Sequence, residues 1–547
     1  MRRCNWLFLA QLDMYLTLIN PFFVVMEKRA KFVGNCIYRS MINFRKLSIY
    51  SILALSGLSA GAAYPLDYEV SLTAGAGSGD FAPYYISVMR GGRFSGASNI
   101  QAEASVWRPL DMAGRWAYGF GLDLIGGHAS SVDYERYDAA GEVWLRHPMR
   151  SSSTRIQQLY GIVRYRSVFL SAGMREHGSA LLNQRLTSGD LVESGNARPI
   201  PEVRAGFVDF QDIPFTNGWV QIQGEVAYGK MLDDDWWRDH YNYYNENLSQ
   251  GQYYSYKRCY FRTRPSERLS VTVGMQAAGE FGGYTDFYNH GRVWRHEVRS
   301  AGVKTLLRML LPIGEGGESF YVGNHLGSWD FRARYCLDGG HELAGYFSWP
   351  FEDGSGIGKQ NGWDGLWGIE YKAPGKGGVI SGAVIEYLDF TNQSGPIHFN
   401  PADWAGTTIT GHTSGSDDYY NNVSYNSYAY YGQSIGTPAL MAPIYNLDGC
   451  NKFLANAMRG FHVGVEGSIA PGVDYLVKGG YRKAWGSGYF MLPAPIHLSS
   501  VMAEVTWSPA RVKGLSVNAQ VEVDRGNMPS NAFGAMVSVK YHGLLNL

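Results

Sequence analysis

The sequence predicts an all-β chain, and within that class a transmembrane antiparallel β-barrel. Two observations carry this: period-two alternation that recurs along most of the chain, and a composition poor in charge but rich in aromatics. Charged residues are 18% of 547, against about 25% in an ordinary soluble domain. The chain holds 38 Tyr, 15 Trp and 68 Gly. Its mean hydropathy of −0.21 is too low for a helical membrane bundle. It suits a barrel, in which outward apolar positions are diluted by polar inward ones. The 48 basic and 48 acidic side chains cancel, which excludes an electrostatic nucleic-acid binder. The apolar content excludes a disordered chain.

The N-terminus reads as an export signal preceded by an extension. Arg45 and Lys46 form a positive region, residues 47–58 are apolar, and the small residues Ala60, Gly61, Ala62 and Ala63 precede a cut near Tyr64. We read residues 1–40 as a mis-assigned extension, 41–63 as a signal peptide and 64–547 as one barrel domain with long extracellular loops. Cys259, Cys336 and Cys450 of the mature part are odd in number and far apart, without disulfide or metal spacing. They read as isolated thiols, although one pair, Cys259 with Cys450, could join after export.

Strand candidates follow in order. Ile100, Ala102, Ala104 and Val106 alternate with Gln101, Glu103 and Ser105. Val220, Ile222, Gly224, Val226 and Tyr228 alternate with Gln221, Gln223 and Glu225, and Leu269, Val271, Val273 and Met275 with Ser270 and Thr272. Leu515, Val517, Ala519, Val521 and Val523 alternate with Ser516, Asn518, Gln520 and Glu522, and Val537, Val539 and Tyr541 with Ser538 and Lys540. Similar runs lie near 118–124, 168–174, 203–209, 343–349, 379–387, 461–469, 475–481 and 501–507. Roughly 16 to 20 strands of membrane-crossing length result. Trp107, Trp116, Trp219, Trp349, Tyr387 and Trp507 fall near segment ends, where interfacial girdles would sit. Pro471-Gly472 and residues 509–514 read as short periplasmic turns. Residues 130–157, 229–257, 276–297, 351–363 and 390–458 read as extracellular, and 176–202 as a plug or a short helical insertion.

No constellation carries catalysis. Asp233, Asp234 and Asp235 are adjacent on a loop and lack both the opposed geometry of a glycosidase pair and the ligand spacing of a calcium loop. The histidines are scattered, and the run Gly354-Ser355-Gly356 lacks a strand–turn–helix setting. No metal and no cofactor is expected. The Tyr- and Asn-rich loops 236–256 and 419–431 suit either sugar contact, with rings on C–H faces and amides on hydroxyls, or simple packing of loop on loop.

Three strings then make a family resemblance specific. Residues 183–201 run Asn-Gln-Arg-Leu-Thr-Ser-Gly-Asp-Leu-Val-Glu-Ser-Gly-Asn-Ala-Arg-Pro-Ile-Pro, and 389–396 run Asp-Phe-Thr-Asn-Gln-Ser-Gly-Pro. Tyr419-Tyr420-Asn421-Asn422 is followed by Tyr425, Tyr430, Gly432, Ile435, Gly436 and Pro438. In this order they resemble the capsule assembly Wzi family, from about residue 66 onward. Lys257, Tyr260 and Arg262 fit a further element of which a His is missing. The resemblance implies a barrel of about 18 strands with a small periplasmic helical element, loops that seal the lumen, and a non-enzymatic lectin. Such a lectin holds capsular polysaccharide or exopolysaccharide at the outer membrane, with lipid and polysaccharide as partners, no nucleic acid, and a monomeric state. On this reading Trp236, Trp237, Trp404, Tyr420 and Tyr425 stack on sugars, while Asp417, Asp418, Asn421 and Asn422 pair hydroxyls or cationic groups. Ser188, Gly189, Asp190, Asn196, Pro199 and Pro201 are architectural, with Asp190 capping a short helix or pairing Arg185. A passive porin, which would need an open lumen, is the alternative.

Overall fold

The computed structural model describes residues 66–151, 154–310, 323–352, 354–375, 377–396, 398–399 and 413–545. The extension, the signal peptide and Trp404 lie outside the described residues. Among these, eighteen antiparallel strands form one closed ring. They are β1 Leu66–Gly77, β2 Asn99–Arg108, β3 Trp116–Ala129, β4 Thr154–Tyr165, β5 Val168–Met174 and β6 Pro201–Phe207. Next come β7 Val220–Lys230, β8 Tyr253–Thr263, β9 Leu269–Phe281, β10 Asn324–Cys336, β11 Glu342–Phe351 and β12 Gly365–Lys372. The last are β13 Gly382–Asp389, β14 Met458–Ala470, β15 Val473–Gly486, β16 Met491–Trp507, β17 Leu515–Gly526 and β18 Ala532–Leu545.

Each strand pairs with its neighbours in chain order, and β1 closes the ring on β18, from Leu66 opposite Leu545 to Gly77 opposite Gly534. Closure removes every long sheet edge, as a bilayer requires. The even strand count puts both ends of the ring, Leu66 and Leu545, at the end where residues 166–167, 264–268 and 471–472 make short turns. The long segments 78–98, 130–153, 175–200, 231–252, 282–323 and 390–457 join strands at the opposite end.

The alternation reads as expected. Val70, Leu72, Leu122, Leu170, Val521 and Val539 point outward and are exposed, as a lipid-facing surface must be. Thr73, Gln101, Asp123, Ser171, Glu225 and Glu522 point inward and are buried. Trp116, Trp219 and Trp507 are exposed near the short-turn end, and Trp363, Trp367 and Tyr387 near the long-loop end. Trp107 departs from the expected girdle. It shares the inward parity of Glu103 and Ser105 and lines the lumen, 5.7 Å from the His542 ring.

The helical content is small, as expected. Among the described residues the α-helices Tyr84–Ser87, Asp234–His240, Val303–Leu310 and Gly354–Ile357 sit in long-loop segments, and a single 3₁₀ turn, Asp338–Gly340, lies at the short-turn end between β10 and β11. Residues 175–200 contain no helix; they fold inward as irregular chain. Cys259, Cys336 and Cys450 are free. An arginine at the outward mid-strand position Val521 should cost about 2–4 kcal/mol, and Val521→Leu very little. Urea unfolding from vesicles measures the difference.

Candidate functional site

Inward positions that are polar can serve chain that folds into the lumen, and three segments use them. In the first, residues 78–98, the free amides opening the one-turn helix Tyr84–Ser87 are met by wall carboxylates. Tyr84 N donates to Asp524 at 2.9 Å, while Tyr85 N and Ile86 N donate to the two Glu522 oxygens at 2.8 and 2.7 Å. In the second, residues 175–200, Thr187 Oγ1 and Ser188 N donate to Glu386, each at 2.6 Å. Arg204 of β6 is fully buried and binds Glu193 of the same segment at 2.5 Å. It also binds Glu202 and Glu225 of the wall, both at 2.6 Å.

The third segment, residues 413–457, lies over the second. Tyr420 Oη donates to the Leu191 carbonyl at 2.5 Å and Tyr428 Oη to that of Val192 at 2.8 Å. Ser194 Oγ donates to Gly436 O at 2.7 Å, and Asn196 Nδ2 to Ser434 O at 3.0 Å. Lys452 fastens the segment to itself: its ammonium donates to the carbonyls of Asn422, Tyr425 and Asn426 at 2.7–2.8 Å. Burial lowers its pKa to about 8, which leaves it charged at neutral pH. Tyr254, Tyr256, Tyr419, Tyr428, Tyr430 and Phe453 are fully buried, so the lumen is filled here with side chains.

This packing corrects most of the expected sugar contacts. Trp237 is 1% exposed, and Tyr420 and Tyr425 are 3% exposed; none offers a ring face to a ligand. Trp236 is half-buried, stacked on His240 at 4.6 Å, and its indole covers Gly432, where any Cβ would overlap it. Asn421 is buried between Asp418 and the Phe453 carbonyl, and Asn422 Nδ2 donates to Asn324 at 3.2 Å. Asp418 accepts from Asn456 at 2.8 Å, and burial raises its pKa; Asp417 accepts from Ser394 Oγ at 2.6 Å. These residues do come together, but as the seam of a plug. Asp233 is buried too, accepts from Tyr431 N at 2.9 Å, and is pushed up to about 7 by desolvation.

The six motif residues lie in the second segment or, for Pro201, at the start of β6. Gly189 sits at φ 125°, where a Cβ would also meet Pro438. Asp190 caps no helix and does not pair Arg185. It accepts from Val192 N and Gln276 Nε2 at 2.8 Å and from Ser179 Oγ at 2.5 Å. Arg185 goes to Glu466 and Glu504 instead. Asn196 Oδ1 accepts from Met89 N at 3.0 Å, joining the first and second segments. Pro199 and Pro201 lead out of the plug into β6.

An aromatic patch that the sequence reading passed over stands at the long-loop end. Residues 130–151 hold a hairpin, Val132–Asp138 with Val143–Met149, that sets Tyr137 opposite Trp144. Buried Val132, Tyr134 and Met149 anchor its base, and Tyr134 Oη donates to Ile444 O at 2.7 Å. Tyr137, Trp144 and Tyr244 pack with ring centroids 4.8–5.4 Å apart, and His290 adjoins Tyr244 at 5.1 Å. Backbone bonds fix the group: Tyr137 N to Asn242 O at 2.8 Å and Gly291 N to Tyr244 O at 2.9 Å. Trp144 remains 46% exposed. The patch is aromatic, held by backbone bonds and open, with Asp138, Glu142 and Arg292 near Tyr137.

No family model and no curated protein matches the chain. A solved Escherichia coli structure does: Wzi, described as an outer membrane protein involved in group 1 capsule assembly and as a carbohydrate-binding β-barrel. It aligns at 12% identity over 88% of this chain and 84% of that one, with a TM-score of 0.51. OccAB2 of Acinetobacter baumannii (8% identity, 88% and 98% covered) and OccK3 of Pseudomonas aeruginosa (11%, 88% and 96%) score 0.43 and 0.42. The likeness to Wzi is one of fold: an eighteen-stranded barrel of the outer-membrane type. Lys452→Met should leave this barrel intact while loosening its plug by about 1.5–3 kcal/mol. Hydrogen exchange over residues 413–457 should rise, with no change in the strands.

Proposed function

We propose that the protein is an outer-membrane barrel that holds capsular polysaccharide or exopolysaccharide at the Gram-negative cell surface, reached after signal-directed export. The long-loop end faces outward, and the glycan lies on the patch of Tyr137, Trp144 and Tyr244. The observation that carries this is the pairing of a lumen plugged by its own loops with an open, pre-packed aromatic surface above it. Sugars offer apolar C–H faces that rings cover and hydroxyls that flanking polar groups bind. Pre-packed rings lose little freedom on binding. The resemblance to a carbohydrate-binding barrel involved in capsule assembly supports the same reading. We assign no catalytic role. A passive pore is the second reading of such a fold, and the packed segments 175–200 and 413–457 argue against it.

The test uses a strain lacking the gene and complemented with variants. Replacing Tyr137, Trp144 and Tyr244 together by Ala should move polysaccharide from the cell surface into the medium at unchanged total yield. Trp144→Ala alone should weaken binding by about 2 kcal/mol. Tyr420→Phe, inside the plug, should retain the glycan. Heat-modifiable migration in SDS gels checks that each barrel has folded. Full retention by the triple variant would refute the assignment.

A further inference from the structure

Below the plug the lumen widens. A chamber of about 910 Å³ lies between the inward segments and the short-turn end, within the range of about 300–1,000 Å³ typical of small-molecule sites. Tyr85, Arg90, Glu176 and Arg185 belong to its roof, and β1–β4 and β15–β18 contribute its walls. At its mouth Lys540 pairs with Glu69 at 3.2 Å, both partly exposed.

Most charges in the chamber are satisfied. Arg93 binds Glu103 at 2.6 Å, Asp123 at 3.0 Å and also Glu176. Arg185 binds Glu466 at 2.7 Å and Glu504 at 3.0 Å, and Arg90 donates to Gln520 at 2.7 Å. Lys478 differs. It is 7% exposed and lines the chamber, yet among the described residues it makes no hydrogen bond and no ion pair. Its ammonium lies 5.9 Å from the centroid of the Tyr85 ring. The carboxylates whose fields reach it are Glu386 and Glu504. Both are engaged elsewhere: Glu386 by Thr187, Ser188 and Tyr346, and Glu504 by Arg185 and Gln520.

An ammonium that faces a chamber with no acceptor among the described residues is free to receive an arriving anion. We propose that the chamber binds an acidic saccharide from the short-turn side, with its carboxylate on Lys478. Arg90 and Arg185 flank that charge, while the carboxylate excess around Arg93 on the facing wall orients the ligand away from it. Ser105, Gln158, Thr506 and Asn518 offer hydroxyls and amides for a polyol, and Trp107 and Tyr160 offer ring faces. This site is independent of the aromatic patch and would stand if that assignment failed.

The experiment is calorimetric titration of the full chain in detergent with digalacturonate, neutral digalactose and inorganic phosphate. Digalacturonate should bind wild type and Trp144→Ala equally, and more weakly as salt rises. Lys478→Met should lower its affinity at least about tenfold, Lys478→Arg should restore it, and Lys540→Met should leave it unchanged. Lys478→Met should also resist heat in SDS at least as well as wild type, because it removes no hydrogen bond or ion pair found among the described residues. Absence of binding, equal affinity for digalactose or phosphate, or insensitivity to Lys478→Met would overturn the proposal. So would loss of binding in Trp144→Ala, or a barrel that fails to fold with Met at position 478.

Discussion

Irregular chain can be buried inside a barrel only if its backbone amides and carbonyls find partners there. Everything above the chamber depends on this constraint. The partners come from the wall as carboxylates, Asp524 and Glu522 for the helix at Tyr84 and Glu386 for Ser188. From the covering segment they come as tyrosine hydroxyls, those of Tyr420 and Tyr428 on the carbonyls of Leu191 and Val192. A small number of charged ties locks wall to plug, chiefly Arg204 between Glu193, Glu202 and Glu225. Losing one partner of such a group would strand a buried charge, which is far more costly than never having had the pair.

The same constraint explains the composition. A lumen filled by its own loops consumes inward-facing charge in pairs and consumes tyrosine both as bulk and as hydrogen-bond donor. The chain can therefore be low in charge, neutral overall and rich in Tyr without an aqueous channel. Outside the barrel the aromatics do different work. Trp116, Trp219 and Trp507 mark one membrane boundary and Trp363 and Trp367 the other, while Trp144 stands clear on its hairpin.

Much of the barrel was legible in the sequence, because lipid outside and polar partners inside force a period of two on every strand. Loop assignments at the ends of β14–β17 followed from Pro471-Gly472 and residues 509–514 for the same reason. The proposed binding surface was less legible. A Tyr in an exported loop looks the same whether it faces a ligand or a neighbouring loop, and only the fold shows that Tyr420 and Tyr425 are interior. Gly432 held a clue, since a glycine beside tyrosines can mark a ring packed on the backbone, but its partner Trp236 is far away in sequence. The hairpin bearing Trp144 had a local signal, Val132 and Tyr134 alternating with polar residues ahead of Gly141, which is easily overlooked in a long segment between membrane strands. Lys478 carried no signal, because its lack of a partner is a property of three dimensions.

The most direct test of a barrel that holds glycan rather than conducts is electrical. The purified full chain is reconstituted into planar bilayers, and current is recorded across it. A lumen closed by the segments at Leu191 and Tyr420 should give no stepwise conductance, whereas Arg204→Ala, which strands the ties to Glu193, should open intermittent steps. Steady open-channel steps from the unaltered protein would contradict the sealed lumen and make a pore the better description.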